Sequence, residues 1–236
     1  MTAPRLSPPF WRHDAYTLNK LARKVGEIAK TLRDGPSYGG LSRGDTVVDF
    51  GAGAAPYRAL FEGPGIRYVT CDLGDGAEVT ISLGQPIPLE DQSAKVVVSF
   101  QVLEHVWDLD WYLLEARRLL MEDGALVLST HGTWLYHPHP TDFRRWTRDG
   151  LVAELTTRGF VVQEIVGLVG PLAWTTQFRA LGFHRLLSAV PLIGPTLAAV
   201  MGTVLNLRMW VEDRVTPAEW TDTNAAVYVV VARKAA

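Results

Sequence analysis

Cysteine is nearly absent: Cys71 is the one cysteine in 236 residues. That excludes an intramolecular disulfide and leaves no cysteine pair to hold zinc. An excess of one charge is missing too. The 23 Lys and Arg against 25 Asp and Glu give a net charge of −2, too little cationic excess for a general grip on nucleic acid. No apolar run opens the chain, so no secretory signal is expected and a cytoplasmic setting is. No repeat or low-complexity tract interrupts it. What is present is a globular composition, 47% apolar and 20% charged, long enough for one sizeable α/β domain with an insertion.

Residues 1–13 hold Pro4, Pro8 and Pro9 and read as an irregular arm. Over 14–33, Leu18, Leu21, Val25, Ile28 and Leu32 recur at helical spacing, with Lys20, Arg23, Lys24, Lys30 and Arg33 on the other face. The ordinary reading is a solvated basic face over a packed stripe; the alternative is contact with an anionic surface. Strands are expected at 46–50, 67–71, 78–83, 95–100, 125–130, 160–166 and 226–232. Helices are expected at 56–62, 109–121 and 148–158, the last with Thr147 as N-cap. Such alternation implies a mostly parallel sheet covered on both faces. The arm and first helix (1–43) then precede a domain over 44–236, interrupted by an insertion at about 167–225.

The stretch VVDFGAGAAPY, residues 47–57, runs from a strand into a Gly-x-Gly turn. Glycines there let backbone lie against a ligand. A dinucleotide site needs a third glycine, and Pro56 holds that place. Asp49, just before the turn, is badly placed beside a pyrophosphate. It suits a cationic ligand such as the ammonium and sulfonium of S-adenosylmethionine. Asp72 closes the next strand about twenty residues on, where a carboxylate can accept from both ribose hydroxyls. Each acid also has a plain structural reading, a cap or turn for Asp49 and an Asx-turn for Asp72. Both fall at C-terminal strand ends, where open α/β sheets bind ligands.

The segment PIPLEDQSAKVVVSFQVLEHVWDLDWYLLEARRLLMEDGALVLSTH, residues 86–131, resembles the class I S-adenosylmethionine-dependent methyltransferases, and more narrowly their type 11 group. With the glycine loop, the resemblance covers roughly 44–166 and the final strand. It implies a Rossmann-like α/β fold with strand order 3-2-1-4-5-7-6, strand seven antiparallel, and S-adenosylmethionine as cofactor. It places Asp49, Gly51, Ala52 and Gly53 at the methionine end of the cofactor, Asp72 at the ribose, and Leu73, Ser82 and Leu83 near the adenine. Ser82 replaces an acid common in the group, which weakens that adenine contact. Gln101, Val102 and His105 fall on the sulfonium side. Glu104 beside them has an ordinary reading as a helix-capping acid.

After strand five comes THGTWLYHPHPTDFRRWT, residues 130–147, which follows a pattern found in a subset of that group. In related folds it borders the acceptor pocket. Methyl transfer from a sulfonium depends mainly on in-line positioning, and a hydroxyl acceptor gains from a base. His131, His137, His139 and Asp142 are the candidates, with an Asp–His pair the most attractive. Bound metal is not expected, because the prolines of His137–Pro138–His139–Pro140 stiffen a poor clamp. Trp134, Tyr136, Phe143 and Trp146 suit either lid packing or stacking on a ring. Arg144, Arg145 and Arg148 suit an anionic group on the acceptor, or a solvated turn.

Residues 186–207 carry no charge, a length that could span a bilayer. Pro191, Gly194, Pro195 and Gly202 break it, and the chain must return to the sheet. A helical lid is the first expectation; a homodimer surface and a peripheral contact with the inner face of a membrane are the others. The combined expectation is an S-adenosylmethionine-dependent enzyme that O-methylates a small molecule, sugar or glycolipid precursor. The rivals are an NAD-dependent oxidoreductase and a non-catalytic S-adenosylmethionine-binding module.

Overall fold

The computed structural model describes residues 5–35, 37–138 and 141–235. After α1 (Ala15–Asp34) come β1 (Thr46–Phe50), α2 (Arg58–Phe61), β2 (Arg67–Asp72), β3 (Val79–Thr80) and β4 (Ala94–Phe100). They are followed by α3 (Leu109–Leu119), β5 (Leu120–His131), α4 (Arg148–Thr157) and β6 (Phe160–Leu168). Helices α5 (Pro171–Ser188), α6 (Gly194–Val215) and α7 (Ala218–Thr223) then precede β7 (Val227–Lys234). The sheet order is β3-β2-β1-β4-β5-β7-β6. β7 runs antiparallel to both neighbours and the other pairs are parallel. This is the Rossmann-like arrangement expected from the sequence.

Valine-rich central strands are buried on both faces, as a parallel sheet requires. Val48, Phe50 and Val97 pack with Leu113 of α3 and Leu155 of α4 on one side. Val47, Val96 and Val98 pack with Leu21, Val25 and Leu32 of α1 on the other. Asp108 caps α3 by accepting from the Trp111 amide at 3.0 Å, and Thr147 caps α4 by accepting from Gly150 at 3.1 Å. β3 is shorter than its expected 78–83, since it pairs only with β2, and beyond buried Ile81 the chain turns out to solvent at Ser82 and Leu83. β5 starts five residues early because Leu120 pairs with Ala94 ahead of a register shift.

The basic face of α1 is not free for an anionic surface throughout. Lys24 pairs with Glu164 of β6 at 2.6 Å, and Lys20 with Asp213 of α6. Both charges tie α1 to the domain.

The insertion is a pair of packed helices, α5 and α6, held by a buried polar strap. Asn206, 0% exposed, accepts from the Tyr16 amide at 3.0 Å and donates to the carbonyls of Phe10 and Arg12 at 2.8 Å. Gln177, also buried, accepts from the Thr17 hydroxyl and donates to the His13 carbonyl, both at 2.9 Å. A Cβ on Gly202 would sit 2.2 Å from the Trp11 carbonyl, so only glycine admits the arm there. Replacing Asn206 with alanine leaves the Tyr16 amide and the Phe10 carbonyl without their side-chain partner and buries the resulting gap, while the Arg12 carbonyl keeps the Ala15 amide. The expected loss is about 2–4 kcal/mol of folding stability. An unchanged midpoint in urea unfolding would contradict this role for the strap.

Candidate active site

The glycine loop leaves β1 on the C-terminal side of the sheet, and its shape is fixed by close approach. Gly51 has φ +83°, and a Cβ there would lie 2.6 Å from a Val102 methyl. The amides of Gly51 and Ala52 donate to the Cys71 carbonyl at 2.8 and 3.1 Å, joining the loop to β2. Gly53 has φ +53° and nothing within 4 Å of where its Cβ would be, so its backbone faces open space. Its amide donates to the Asp72 carboxylate at 2.5 Å. Leu73, 48% exposed, follows Asp72. The Ile81 amide donates to the Asp72 carbonyl at 2.7 Å, which brings exposed Ser82 and Leu83 alongside. Gln101 adopts φ +57°, an uncommon conformation for a non-glycine residue and one that recurs at functional sites. Its backbone amide donates to the Ser129 carbonyl at 2.8 Å, so the turn after β4 is tied to strand β5.

Asp49 lies beneath this loop. It is 3% exposed and accepts from the Tyr68 hydroxyl at 2.6 Å. Burial raises its pKa from 3.8 to about 6; the Tyr68 bond opposes that rise and the nearby Asp72 charge adds to it. No cation among the described residues pairs with it in an ion pair. The uncompensated carboxylate, the open glycine backbone and the oriented Asp72 form a cradle that fits a cationic nucleoside.

Next to the β4 loop, a carboxylate and three imidazoles come together. Glu104 sits in a single 3-10 turn, Leu103–His105, and is 0% exposed. Its Oε1 lies 2.9 Å from Nδ1 of His131, which ends β5 and is 5% exposed. The approach is close but bent away from an in-line hydrogen bond. Thr130 donates to Glu104 Oε2 at 2.8 Å. Burial by itself raises the Glu104 carboxyl, and His131 with Thr130 outweighs it, holding the group below the usual carboxylate range. A carboxylate at Nδ1 favours the Nδ1–H tautomer and leaves the lone pair on Nε2. The His137 ring stands edge-on to both His131 and His105, at 5.2 and 5.0 Å. Burial, then the neighbouring histidines, lower its pKa to about 4, so it is neutral near pH 7. His105 Nδ1 donates to the Thr141 carbonyl at 2.6 Å.

The expected Asp–His pair is not formed by Asp142. Its carboxylate is held by Arg145 through two contacts at 2.5 Å and accepts from the His137 amide at 2.8 Å. Burial alone raises it; these partners overturn that and hold it at about 2, which rules it out as a base near neutrality. Asp142 shapes the loop, and the acid partner of His131 is Glu104. Nor are all three arginines available to an acceptor. Arg145 also donates to the Trp134 and Leu135 carbonyls, and Arg144 to those of Val106 and Trp107. His139 lies outside the described residues.

Ligand atoms of Glu104, His131 and His137 lie within 4.8 Å of one another, a donor set compatible with a divalent metal. This is not the His-Pro-His-Pro clamp considered from the sequence. Against this cluster Trp134 stacks on His131 (4.9 Å, 8°), and Phe178 of α5 packs edge-on to Trp134 at 6.4 Å. The insertion therefore reaches the histidine cluster.

A family model described as a methyltransferase domain matches residues 10–188. Over 88 residues the chain is 36% identical to a probable S-adenosylmethionine-dependent methyltransferase of Mycobacterium tuberculosis, covering 35% of this chain and 32% of that protein. A counterpart from Mycolicibacterium smegmatis is 34% identical over 35% of this chain and 34% of its own length. The chain thus matches about a third of the length of these curated relatives. Among solved structures, the [4+2]-cyclase SpnF superposes with a TM-score of 0.57 at 15% identity, covering 92% of this chain and 82% of that one. A phosphoethanolamine N-methyltransferase of Haemonchus contortus, solved with S-adenosylhomocysteine, gives 0.51 at 13% identity, covering 95% and 60%. These likenesses show the fold.

Proposed function

The chain belongs to the class I S-adenosylmethionine-dependent methyltransferases, and from that premise we propose that it methylates a hydroxyl group, with His131 as general base and Glu104 as its positioning partner. The observation that carries this reading is the buried Glu104–His131 contact at 2.9 Å, beside the loop that lines the cofactor crevice. When bound, S-adenosylmethionine supplies an activated methyl whose departure leaves a neutral thioether. Asp72 suits the ribose hydroxyls, Leu73 and Leu83 the adenine, and the Asp49 charge the cationic end across the loop backbone. Gln101 and Val102 border the sulfonium side. His131 Nε2 takes the acceptor proton as the oxygen attacks, and Glu104 stabilises the imidazolium that results. Trp134 and Phe178 wall the acceptor side, as a lid from the insertion would.

Calorimetric titration tests the cofactor half of this reading. S-adenosylmethionine and S-adenosylhomocysteine are expected to bind with similar, micromolar-range affinity, and NAD not to bind. NAD binding alone would overturn the assignment in favour of an oxidoreductase. The metal-compatible donor set gives a second test. If His131 works as a base, exhaustive chelation leaves turnover unchanged. Loss of turnover, restored by one divalent ion, would make Glu104, His131 and His137 a metal site instead.

A further inference from the structure

We propose that the α5–α6 hairpin docks into the interfacial layer of an anionic lipid bilayer. The outward side of α6 carries Leu197, Val200, Val204, Leu207 and Val211 at three- and four-residue spacing, each 42–59% exposed. The packed side carries Ala198, Gly202, Leu205 and Met209. A helix that is apolar on both sides has no stable place at a water-facing surface unless something covers it. The stripe continues into the turn between the helices, where Leu192 is 98% and Ile193 59% exposed, and onto α5 at Leu186, 70% exposed.

Charge decides between a bilayer and a second copy. From Ile165 to Val211 there is no Asp or Glu, while Arg179, Arg185 and Arg208 lie within that span. Arg208 pairs with Glu212 on its own helix at 2.7 Å. Arg179 and Arg185 make no ion pair among the described residues and are exposed. In a two-fold dimer the patch meets itself, and the stretch from Ile165 to Val211 offers these cations no acid to pair with. Anionic headgroups complement them, and the apolar tip enters the acyl boundary beneath. Among the described residues no helix is long and apolar enough to cross a membrane, so the hairpin lies in the interface. Phe178 of the same α5 packs on Trp134, which stacks on His131. A docked hairpin therefore holds the acceptor side of the site near the membrane surface, where a lipid-linked hydroxyl would be within its neighbourhood.

Vesicle sedimentation tests the docking without any turnover. The full chain is expected to sediment with phosphatidylcholine vesicles containing phosphatidylglycerol at low salt, and far less with pure phosphatidylcholine. The double variant L192E/I193E alters two exposed side chains and is expected to lose binding at least about tenfold. R179E/R185E should lose the preference for the anionic vesicles. Unchanged thermal unfolding and unchanged calorimetric binding of S-adenosylmethionine would show both variants folded. No sedimentation of the wild type with anionic vesicles would overturn the proposal. So would a concentration-dependent dimer, seen by analytical ultracentrifugation, that L192E/I193E dissociates, since the patch would then be a self-interface. Because lipid binding is read apart from methyl transfer, the docking and the enzymatic reading fail or stand separately.

Discussion

Replacing His131 with alanine is expected to lower methyl transfer by about 10²- to 10⁴-fold, the range that removal of a positioned base produces. Affinity for S-adenosylmethionine should change little. The donor is activated already, so the loss belongs to kcat and not to cofactor binding. Added imidazole should return part of the turnover of H131A, which a purely structural defect would not allow. Glu104 touches Nδ1 and not the reacting atoms, so it is a positioning residue. Glu104→Gln keeps an acceptor for the Thr130 hydroxyl and removes the charge beside His131. A fall in kcat of about 10- to 100-fold is expected, with cofactor affinity retained. Asp142→Asn gives the contrast. Its carboxylate is tied to Arg145 and the His137 amide, so its effect should appear in stability and acceptor KM before kcat. A kcat for H131A equal to that of the wild type would remove the base from the mechanism.

The second large effect concerns Asp49, and it has opposite signs in two measurements. The rise of its pKa from 3.8 to about 6 corresponds to roughly 3 kcal/mol by which the fold disfavours the charged form. A cation seated on the loop favours that charged form again. Affinity for S-adenosylmethionine should therefore be full above pH 7 and weaken as pH falls through about 6, where Asp49 becomes neutral. Asp49→Asn should bind up to about 100-fold more weakly at pH 7.5, the same free energy expressed as affinity, and its affinity should not fall near pH 6. Stability runs the other way. A carboxyl whose folded pKa exceeds its unfolded one costs stability above the folded value, and the cost disappears as pH drops below the unfolded one. At pH 7, D49N should unfold at or above the wild-type midpoint, since Tyr68 can still donate to the asparagine oxygen. Weaker binding together with a lower midpoint would mean that Asp49 is a packing residue. Calorimetry and thermal unfolding on the same preparation read both signs.

Local and periodic features were legible in the sequence. The valine-rich strands, the glycine loop with Asp49, the Thr147 cap and the helical character of the insertion all follow from patterns a few residues long. The sheet order followed from the family resemblance. What was not legible depends on distant pairs. Glu104 reads as a capping acid because its partner, His131, arrives from the end of the next strand; the Q-V-L-E-H-V motif holds both Glu104 and His105 but gives no sign of a burial that only the folded β5 loop creates. Asp142 looked like a histidine partner by proximity in the chain, yet Arg145, three residues on, reaches its carboxylate first and stays there. Tyr68 is invisible as a ligand of Asp49 until β1 and β2 pair in register. The basic face of α1 likewise hides which lysines meet Glu164 and Asp213. Side chains that match by periodicity can be read in order; those that meet across the sheet cannot.

The most direct test of the central claim is a crystal structure of the protein with S-adenosylhomocysteine. The expected density has the ribose hydroxyls on Asp72, the amino acid end over Gly51–Gly53, and the sulfur on the side of the crevice occupied by Gln101 and His131. A ligand bound elsewhere, or one whose sulfur points away from His131, would contradict the assignment of that crevice and of the Glu104–His131 pair as its base.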